Sequence, residues 1–361
     1  EILSALESRG DVKVYEKDFS QFTTGKSTKE NLKERIFFCK VREIETRKRV
    51  VVKSKQNTHL PEYVKSPLNY TGGKHKLLSQ MTQYFPEDVD TFYDVFTGGA
   101  NVGINACAKN IICVDNNPYV VGLLRFIQSS NFEDLHQKLV SEIHKYGLSQ
   151  SYSKGYEFYE CDSSKGLGKY NKGPYLELRS DYNLGKSQSS DLSLLLLIFY
   201  SFNNQIRFNS KGKYNLPVGK RDYNGSSRAK LAHFNAVSNS KKIKFIDKDF
   251  RKILDGSFGK SDFVYLDPPY LLGLASYNEG GGWSIDDERD LYNALHGLNA
   301  KNVKFALSNV TEHKGQSNEL LLKFIKDNQF KCIQMDYNYK NANYQSKAKN
   351  SVTKEVLVTN Y

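Results

Sequence analysis

Residues 263–270 read Phe-Val-Tyr-Leu-Asp-Pro-Pro-Tyr, and this run constrains the fold more than any other. Proline has a fixed φ and no amide hydrogen, so neither a helix nor a central strand continues through Pro268-Pro269. The four apolar residues before Asp267 have the length and the β-branched and aromatic character of a fully buried strand. The pattern predicts a strand deep in a sheet that stops abruptly at an acid, two rigid residues and a flat aromatic, Tyr270. In open α/β sheets, ligands gather at the carboxyl ends of strands. Taken alone, the same run also reads as a strand and a tight turn.

The neighbouring text supplies such a sheet. Thr91 to Phe96 reads as a strand running into Thr97-Gly98-Gly99-Ala100, followed by a small-residue helix over Val102–Lys109 and a second strand, Ile111–Val114, ending at Asp115. This is a βαβ unit with a glycine turn after its first strand. Strands recur at Ile243–Ile246, Phe263–Leu266, Val303–Leu307 and Glu355–Tyr361, the last paired with one near Cys332–Tyr339. Ser284-Ile285-Asp286-Asp287 resembles a capping box that opens a helix with Leu291, Leu295 and Leu298 on one face. The middle breaks this rhythm with Ser/Gly/Lys-rich stretches and one strongly apolar helix around Leu192–Phe202. The expected organisation is a basic N-terminal extension of unknown role over 1–60, a first part of a catalytic domain over 61–124, an insertion over 125–240 and a second catalytic part over 241–361. Within the extension, a helical stretch near Thr28–Glu34 and a hairpin joining Ile36-Phe37-Phe38 to Val50-Val51-Val52 through a charged tip are expected. It reads equally as a DNA-contacting wing or a solvated appendage.

Composition narrows the partners. The net charge of +12 favours an anionic partner, nucleic acid before membrane. Five scattered cysteines show neither CxxC pairs nor His/Cys clusters, which argues against a zinc site or a disulfide framework and for a reducing cytoplasm. The longest apolar stretch, Leu192–Tyr200, is well short of the ~20 residues that span a bilayer. No secretory signal pattern opens the chain. It starts at Glu1 rather than at a methionine, as a segment of a longer polypeptide would.

Asp94-Val95-Phe96-Thr97-Gly98-Gly99 brings backbone amides close to a ligand. Asp115, with Asn116 beside it, ends the next strand about 20 residues on, where an acid grips a ribose. The third glycine of a dinucleotide fingerprint is missing, so adenosine without a pyrophosphate fits better, and S-adenosylmethionine is such a molecule. A purely structural glycine turn is the alternative. A second glycine turn, Asn69-Tyr70-Thr71-Gly72-Gly73-Lys74, lacks the spacing of a Walker loop. Asp249-Phe250, after the third strand, offers an acid and an aromatic beside a base, or a surface acid beside a core phenylalanine. Asp267-Pro268-Pro269-Tyr270 suits methylation of an aromatic exocyclic amine. That nitrogen is a poor nucleophile because its lone pair is delocalised. Asp267 and the Pro268 carbonyl can accept its hydrogens, and Tyr270 offers a face for the base. Between 203 and 221, Arg207 has the geometry to read guanine, and Asn204, Gln205 and Asn209 to read adenine. Lys211, Lys213, Lys220 and Arg221 suit phosphates, and Ser210-Lys211-Gly212 suggests a hairpin turn. Each of these residues also reads as an ordinary solvated loop residue.

In this order, Tyr70-Thr71-Gly72-Gly73-Lys74, Tyr93 to Gly99, Asp115-Asn116-Asn117, Asp267-Pro268-Pro269-Tyr270, Phe305 to Asn309 and Glu355 to Tyr361 resemble the Dam-like, class α, N6-adenine DNA methyltransferases. Tyr175 to Arg179, Arg207-Phe208-Asn209 and Lys213 to Lys220 extend the resemblance through the insertion. It implies a Rossmann-like, S-adenosyl-L-methionine-dependent α/β sheet with an inserted, mostly helical target-recognition domain carrying a β-hairpin. It implies that Tyr70, Gly72, Gly73, Lys74, Asp94 and Asp267 line the cofactor site, that Phe96, Gly98 and Gly99 pass beneath the cofactor, that Asp115 and Asn116 take the ribose, and that Asp249 and Phe250 flank the adenine. Asp267 and Tyr270 would hold a base flipped from double-stranded DNA, with no metal. Tyr70 stands where the family commonly has tryptophan, and residues 1–60 match nothing in it. The implied protein is a monomeric or weakly dimeric, DNA-associated bacterial cytoplasmic enzyme, paired in function with a restriction endonuclease. A DNA-binding regulator with a degenerate methylase core, and an RNA or N4-cytosine methyltransferase, are the competing readings.

Overall fold

The computed structural model describes residues 63–273, 282–336 and 353–361, and two strands within the first sixty residues. The chain divides into two compact units, 1–59 and 60–361. In the first, β1 (Val12–Glu16) pairs antiparallel with β2 (Arg35–Cys39), Val12 opposite Cys39. The strand expected at Ile36-Phe37-Phe38 thus has β1 as its partner among the described residues. The helix expected at 28–34 and the charged tip and strand at 42–52 lie outside them.

The second unit holds an eight-stranded sheet of β3 (Thr91–Val95), β4 (Asn110–Asp115), β5 (Ile243–Asp247), β6 (Phe263–Leu266), β7 (Lys304–His313), β8 (Gln316–Ser317), β9 (Lys331–Met335) and β10 (Thr353–Thr359). The order is β5-β4-β3-β6-β7-β10-β9, with β8 paired to β7. The five strands from β5 to β7 run parallel, and β10 lies antiparallel between β7 and β9. From β3 the chain moves outward to β4 and β5, then returns to the other side of β3 for β6 and β7. The strand order therefore reverses between β3 and β6, which leaves a crevice at their carboxyl ends. The Asp267 amide donates to the Val95 carbonyl at 3.3 Å, which pins the proline loop to that point.

Strand β6 explains why its four residues are all apolar. Phe263 and Tyr265 enter one hydrophobic cluster, and Val264 and Leu266 enter another. A strand covered on both faces alternates between two cores rather than between core and water. The second cluster is completed by α7 (Ile285–Ala300), which presents Leu291, Leu295 and Leu298, and by Leu321 and Phe324 of α8 (Glu319–Asn328). Ser284 and Asp287 close the expected capping box on α7. The first cluster runs without interruption from the sheet into α1 (Pro118–Ser129), α2 (Phe132–Tyr146), α3 (Gly168–Asn183), α4 (Ser190–Tyr200) and α5 (Gly225–Ser240). Every residue from Leu192 to Tyr200 is buried, so the apolar run is the axis of a helical core. Among the described residues, no helix is long and apolar enough to cross a membrane.

One expected element is corrected. Val102–Lys109 is not an α-helix but a series of turns with a single 3-10 turn, Gly103–Asn105. Its polar groups are committed elsewhere. The Gly103 amide donates to Asp94 Oδ2 at 2.8 Å, and Asn105 exchanges two 2.8 Å hydrogen bonds with the backbone of Val64. Asn101 accepts from the Ser66 amide. Asparagine and glycine are weak helix formers, and here these residues tie the segment before β3 to the sheet.

Candidate active site

The loop after β3 is built from left-handed residues at alternate positions: Phe96, Gly98 and Ala100 have φ of 66°, 49° and 58°. At Gly98 only glycine fits, because a Cβ would stand 2.6 Å from the Tyr70 ring. Tyr70 therefore lies against the turn, and its burial and the nearby Asp115 carboxylate push the phenol well above its usual range. Asp94 stabilises the turn from within, accepting from Thr97 Oγ1 at 2.6 Å and from Gly103 N. Burial pushes its carboxyl up to about 7, against the lowering effect of those two bonds. Asp115 accepts from Gly98 N at 2.8 Å and Asn117 N at 2.9 Å. Burial raises its carboxyl too, again against its backbone donors. A carboxylate has roughly four lone-pair sites, so Asp115 retains capacity for a ligand hydroxyl.

Two adjoining cavities meet at Phe96. One is lined by Asp115, Asn116, Asp249, Phe250 and Trp283 among others. Phe96 contacts Phe250 at 5.2 Å and Trp283 edge-on at 5.5 Å, which makes an aromatic wall the size of a purine. Asp249 caps the short helix α6 (Phe250–Leu254) through Arg251 N. Arg251 reaches Asp249, Asp287 and Asp290 and lies over the Phe250 ring at 4.5 Å. The expected acid and aromatic are thus both at the cavity, but the acid is also a helix cap. The other cavity is lined by Tyr70, Gly72, Gly73, Lys74, Asp94, Gly98, Gly99 and Asp267, with Tyr265 at its base. At Gly72 a Cβ would meet nothing within 4 Å, so the space beside Lys74 is open. The two cavities share Phe96 and run from the aromatic wall toward Lys74.

At that far end the side chains converge. Lys74 Nζ lies 2.8 Å from each Asp267 oxygen and 2.8 Å from the Gly72 carbonyl. It lies 3.5 Å from Glu355 Oε1. The Tyr270 hydroxyl stands 3.1 Å from both Asp267 Oδ1 and Glu355 Oε1, and the Lys74 ammonium is 5.0 Å from its ring centre. Lys74 and Glu355 are 5% and 4% exposed and Asp267 is 17% exposed, so only the aspartate meets an incoming ligand. Burial alone would lower the lysine, but the two carboxylates outweigh it and hold the ammonium above its usual range. Burial raises Asp267 despite the lysine.

Sequence reasoning missed Trp283 in the aromatic wall and Glu355 beside Lys74. Glu355 lies on β10, on the face shared with the buried Leu357, at a bulge against β7. The signal available was an acid at an inward position of a strand otherwise reading Val-Leu-Val.

The residues expected to contact DNA sit on an irregular hairpin between α4 and α5. Two isolated bridges, Ser201 with Val218 and Phe208 with Tyr214, replace a regular ladder. Tyr175 and Arg179 of α3 both donate to the Leu216 carbonyl and support it from below. Asn204 turns inward and caps α4, donating to the carbonyls of Ile198 and Phe199. Asn209 accepts from the Lys211 and Lys213 amides and forms the tip. The Arg207 guanidinium lies along its own hairpin on Asn215 Oδ1 at 2.8 Å. Gln205 is half-buried, with its carbonyl held by the Tyr214 hydroxyl and Ser201 Oγ. Lys211 and Lys213 are exposed at the tip. Lys220 and Arg221 reach back to the Ser164 carbonyl and the Tyr156 hydroxyl. The hairpin base is joined to the glycine turn that carries Lys74, since Asn69 donates to the Asn203 carbonyl at 2.6 Å.

Comparison with known proteins places these features in a family. The profile described as D12 class N6 adenine-specific DNA methyltransferase matches residues 70–344. Type II methyltransferase M.FokI of Planomicrobium okeanokoites is 35% identical over all of this chain and 54% of its own length. Modification methylase StsI of Streptococcus sanguinis is 36% identical over 83% of this chain and 43% of its own length. Modification methylase LlaI of Lactococcus lactis subsp. lactis is 30% identical over 78% and 42%. The chain spans about half the length of these curated relatives.

Proposed function

Because the chain belongs to the D12 class of N6 adenine-specific DNA methyltransferases, we propose that it methylates the exocyclic N6 of an adenine flipped out of duplex DNA, at a specific site, and so protects host DNA from a cognate restriction endonuclease. The observation that carries this reading is the meeting, at the strand-order reversal, of an open glycine-lined cavity with the Lys74–Asp267–Tyr270 cluster. The names of its relatives, modification methylases, support the restriction–modification assignment. On this reading the protein acts on DNA in the bacterial cytoplasm, as a monomer or weak dimer.

S-adenosyl-L-methionine, when bound, supplies an electrophilic methyl group on a sulfonium. Phe96, Phe250 and Trp283 hold its base. Asp115, with Asn116, holds its ribose hydroxyls, and Tyr70 with the Gly72-Gly73 and Gly98-Gly99 turns forms the floor. Asp249, through Arg251, keeps the base subsite in shape. Asp267 and the Pro268 carbonyl accept the hydrogens of the target amine and fix its lone pair toward the methyl group. The prolines keep these acceptors rigid, so the alignment is present before substrate arrives. Tyr270 offers its ring face to the base. No strong base is required, because the nitrogen sheds its proton only after becoming cationic. Lys211, Lys213, Lys220 and Arg221 meet phosphates, and Arg207, Gln205 and Asn209 face the bases. Asn204 is assigned to holding the hairpin base.

The test is transfer of labelled methyl from S-adenosylmethionine to duplex DNA, with digestion to identify N6-methyladenine. Wild-type protein should label adenine, and Asp267→Ala should fold and bind cofactor but lose turnover. Near-wild-type turnover by that variant would remove the central assignment.

A further inference from the structure

The first turn of α7 carries three acids in a row, Asp286, Asp287 and Glu288. Consecutive residues of a helix project about 100° apart, so the three meet different surroundings. Asp286 is exposed. Asp287 lines the cavity of the aromatic wall and accepts from Arg251 Nη2 at 2.6 Å, and Arg251 in turn lies over the Phe250 ring. Glu288 points inward and is fully buried. Three donors converge on its carboxylate. The Trp283 indole N–H donates to Oε2, and the Tyr292 hydroxyl and Asn309 Nδ2 donate to Oε1, the last at 3.2 Å. An indole N–H can only donate, and an ionised carboxylate only accepts, so the partners match. Trp283 directly precedes the helix cap Ser284. Its ring stands edge-on to Phe96 and tilted to Phe250, each at 5.5 Å. The χ2 torsion of a tryptophan has only broad preferences, so such contacts leave the ring free to turn. A hydrogen bond to a buried, fixed acceptor removes that freedom. Two adjacent acids thus brace the two sides of one cavity, Phe250 through Arg251 and Trp283 directly.

We propose that Glu288 is a positioning residue for cofactor binding: it fixes the Trp283 ring as one wall of the base subsite, and it acts on the cofactor only through that ring. This rests on the reading of the protein as an S-adenosylmethionine-dependent N6-adenine methyltransferase. Trp283 lines one cavity, whereas Lys74 and Asp267 line the other. Glu288 therefore governs how tightly the cofactor is held and leaves the transfer step itself alone.

Trp283 is the only tryptophan of the chain, so intrinsic tryptophan fluorescence reports on this one position. Titrating wild-type protein with S-adenosylhomocysteine should change that emission, with the dissociation constant that calorimetry gives. Glu288→Met keeps the length of the side chain and removes the acceptor. It should shift the emission of the free protein and weaken S-adenosylhomocysteine binding about fivefold to tenfold, the equivalent of one lost aromatic contact. The KM for S-adenosylmethionine should rise by a similar factor, with kcat at saturation kept. Trp283→Phe should weaken binding comparably, and the combined variant should bind no more weakly than Trp283→Phe alone. A combined variant that shows the product of the two single losses overturns the proposal, because Glu288 then acts by general support of the fold. A kcat that falls while KM stays unchanged overturns it too. So does S-adenosylhomocysteine binding that leaves the wild-type emission unchanged, a result that needs no variant to fold. Wild-type protein that binds no S-adenosylhomocysteine by calorimetry and methylates no DNA would instead refute the functional reading on which this rests.

Discussion

Replacing Lys74 with methionine tests the buried cluster most directly. The methionine fills a similar volume but removes the ammonium that contacts Asp267 and Glu355, whose carboxylates both accept from the Tyr270 hydroxyl. Breaking a buried ion pair by removing one partner costs about 3–5 kcal/mol. The cluster has an escape, however, because one carboxylate can take up a proton. Burial already raises Asp267 with the lysine present, and loss of the lysine must raise it further. A carboxyl raised in the folded state contributes stability that is fully present at low pH and is lost as pH rises through its folded pKa. Each unit of that shift corresponds to about 1.4 kcal/mol. Urea unfolding followed by circular dichroism should therefore show Lys74→Met destabilised by about 3–5 kcal/mol at pH 8 and by less at pH 5.5. Turnover on DNA should be lost at both. An equal loss of stability at the two pH values, or a larger one at the lower, would refute the idea that Lys74 keeps its carboxylate neighbours ionised.

Asp115→Asn should weaken S-adenosylhomocysteine binding by roughly 1.5–3 kcal/mol, the worth of a charge-assisted hydrogen bond, with DNA binding unaffected. Unchanged affinity by calorimetry would reduce Asp115 to a brace for the Gly98 turn. Asp94→Asn should gain stability relative to wild type as pH rises from 4 to 8, because the buried Asp94 carboxyl, pushed up to about 7, favours the fold when protonated and ceases to do so above that pH. The gain has an upper bound of about 4 kcal/mol, and thermal melts across that range would show it. Lys211→Ala with Lys213→Ala should weaken binding to every DNA sequence and flatten its salt dependence, since phosphate contacts release counterions. Arg207→Ala should relax discrimination at one base pair by about 1–3 kcal/mol, read from methylation of a library of single-base site variants. An equal loss on all variants would make Arg207 a brace for Asn215.

What the sequence determined by itself was everything carried by local rules. Four apolar residues stopped by two prolines could be little other than the buried strand β6. The glycines of 97–100 marked a turn that side chains would block, and the Ser284–Asp287 spacing marked the start of a helix. These motifs place Asp115, Asp267 and Tyr270 at strand ends because strand periodicity and backbone sterics act over a few residues. The tertiary structure decided what depends on distant groups. Val102–Lys109 is turns rather than helix because Asp94 and Val64 claim its polar groups. Asn204 serves a helix end rather than a surface because α4 ends beside it. Glu355, on the last strand described, gains its place only when β10 inserts antiparallel beside β7 and brings it to a lysine 281 positions earlier in the chain. The contact of Lys74 with Asp267 and Glu355 has no local signature. Burial and proximity create it, and both are properties of the assembled sheet.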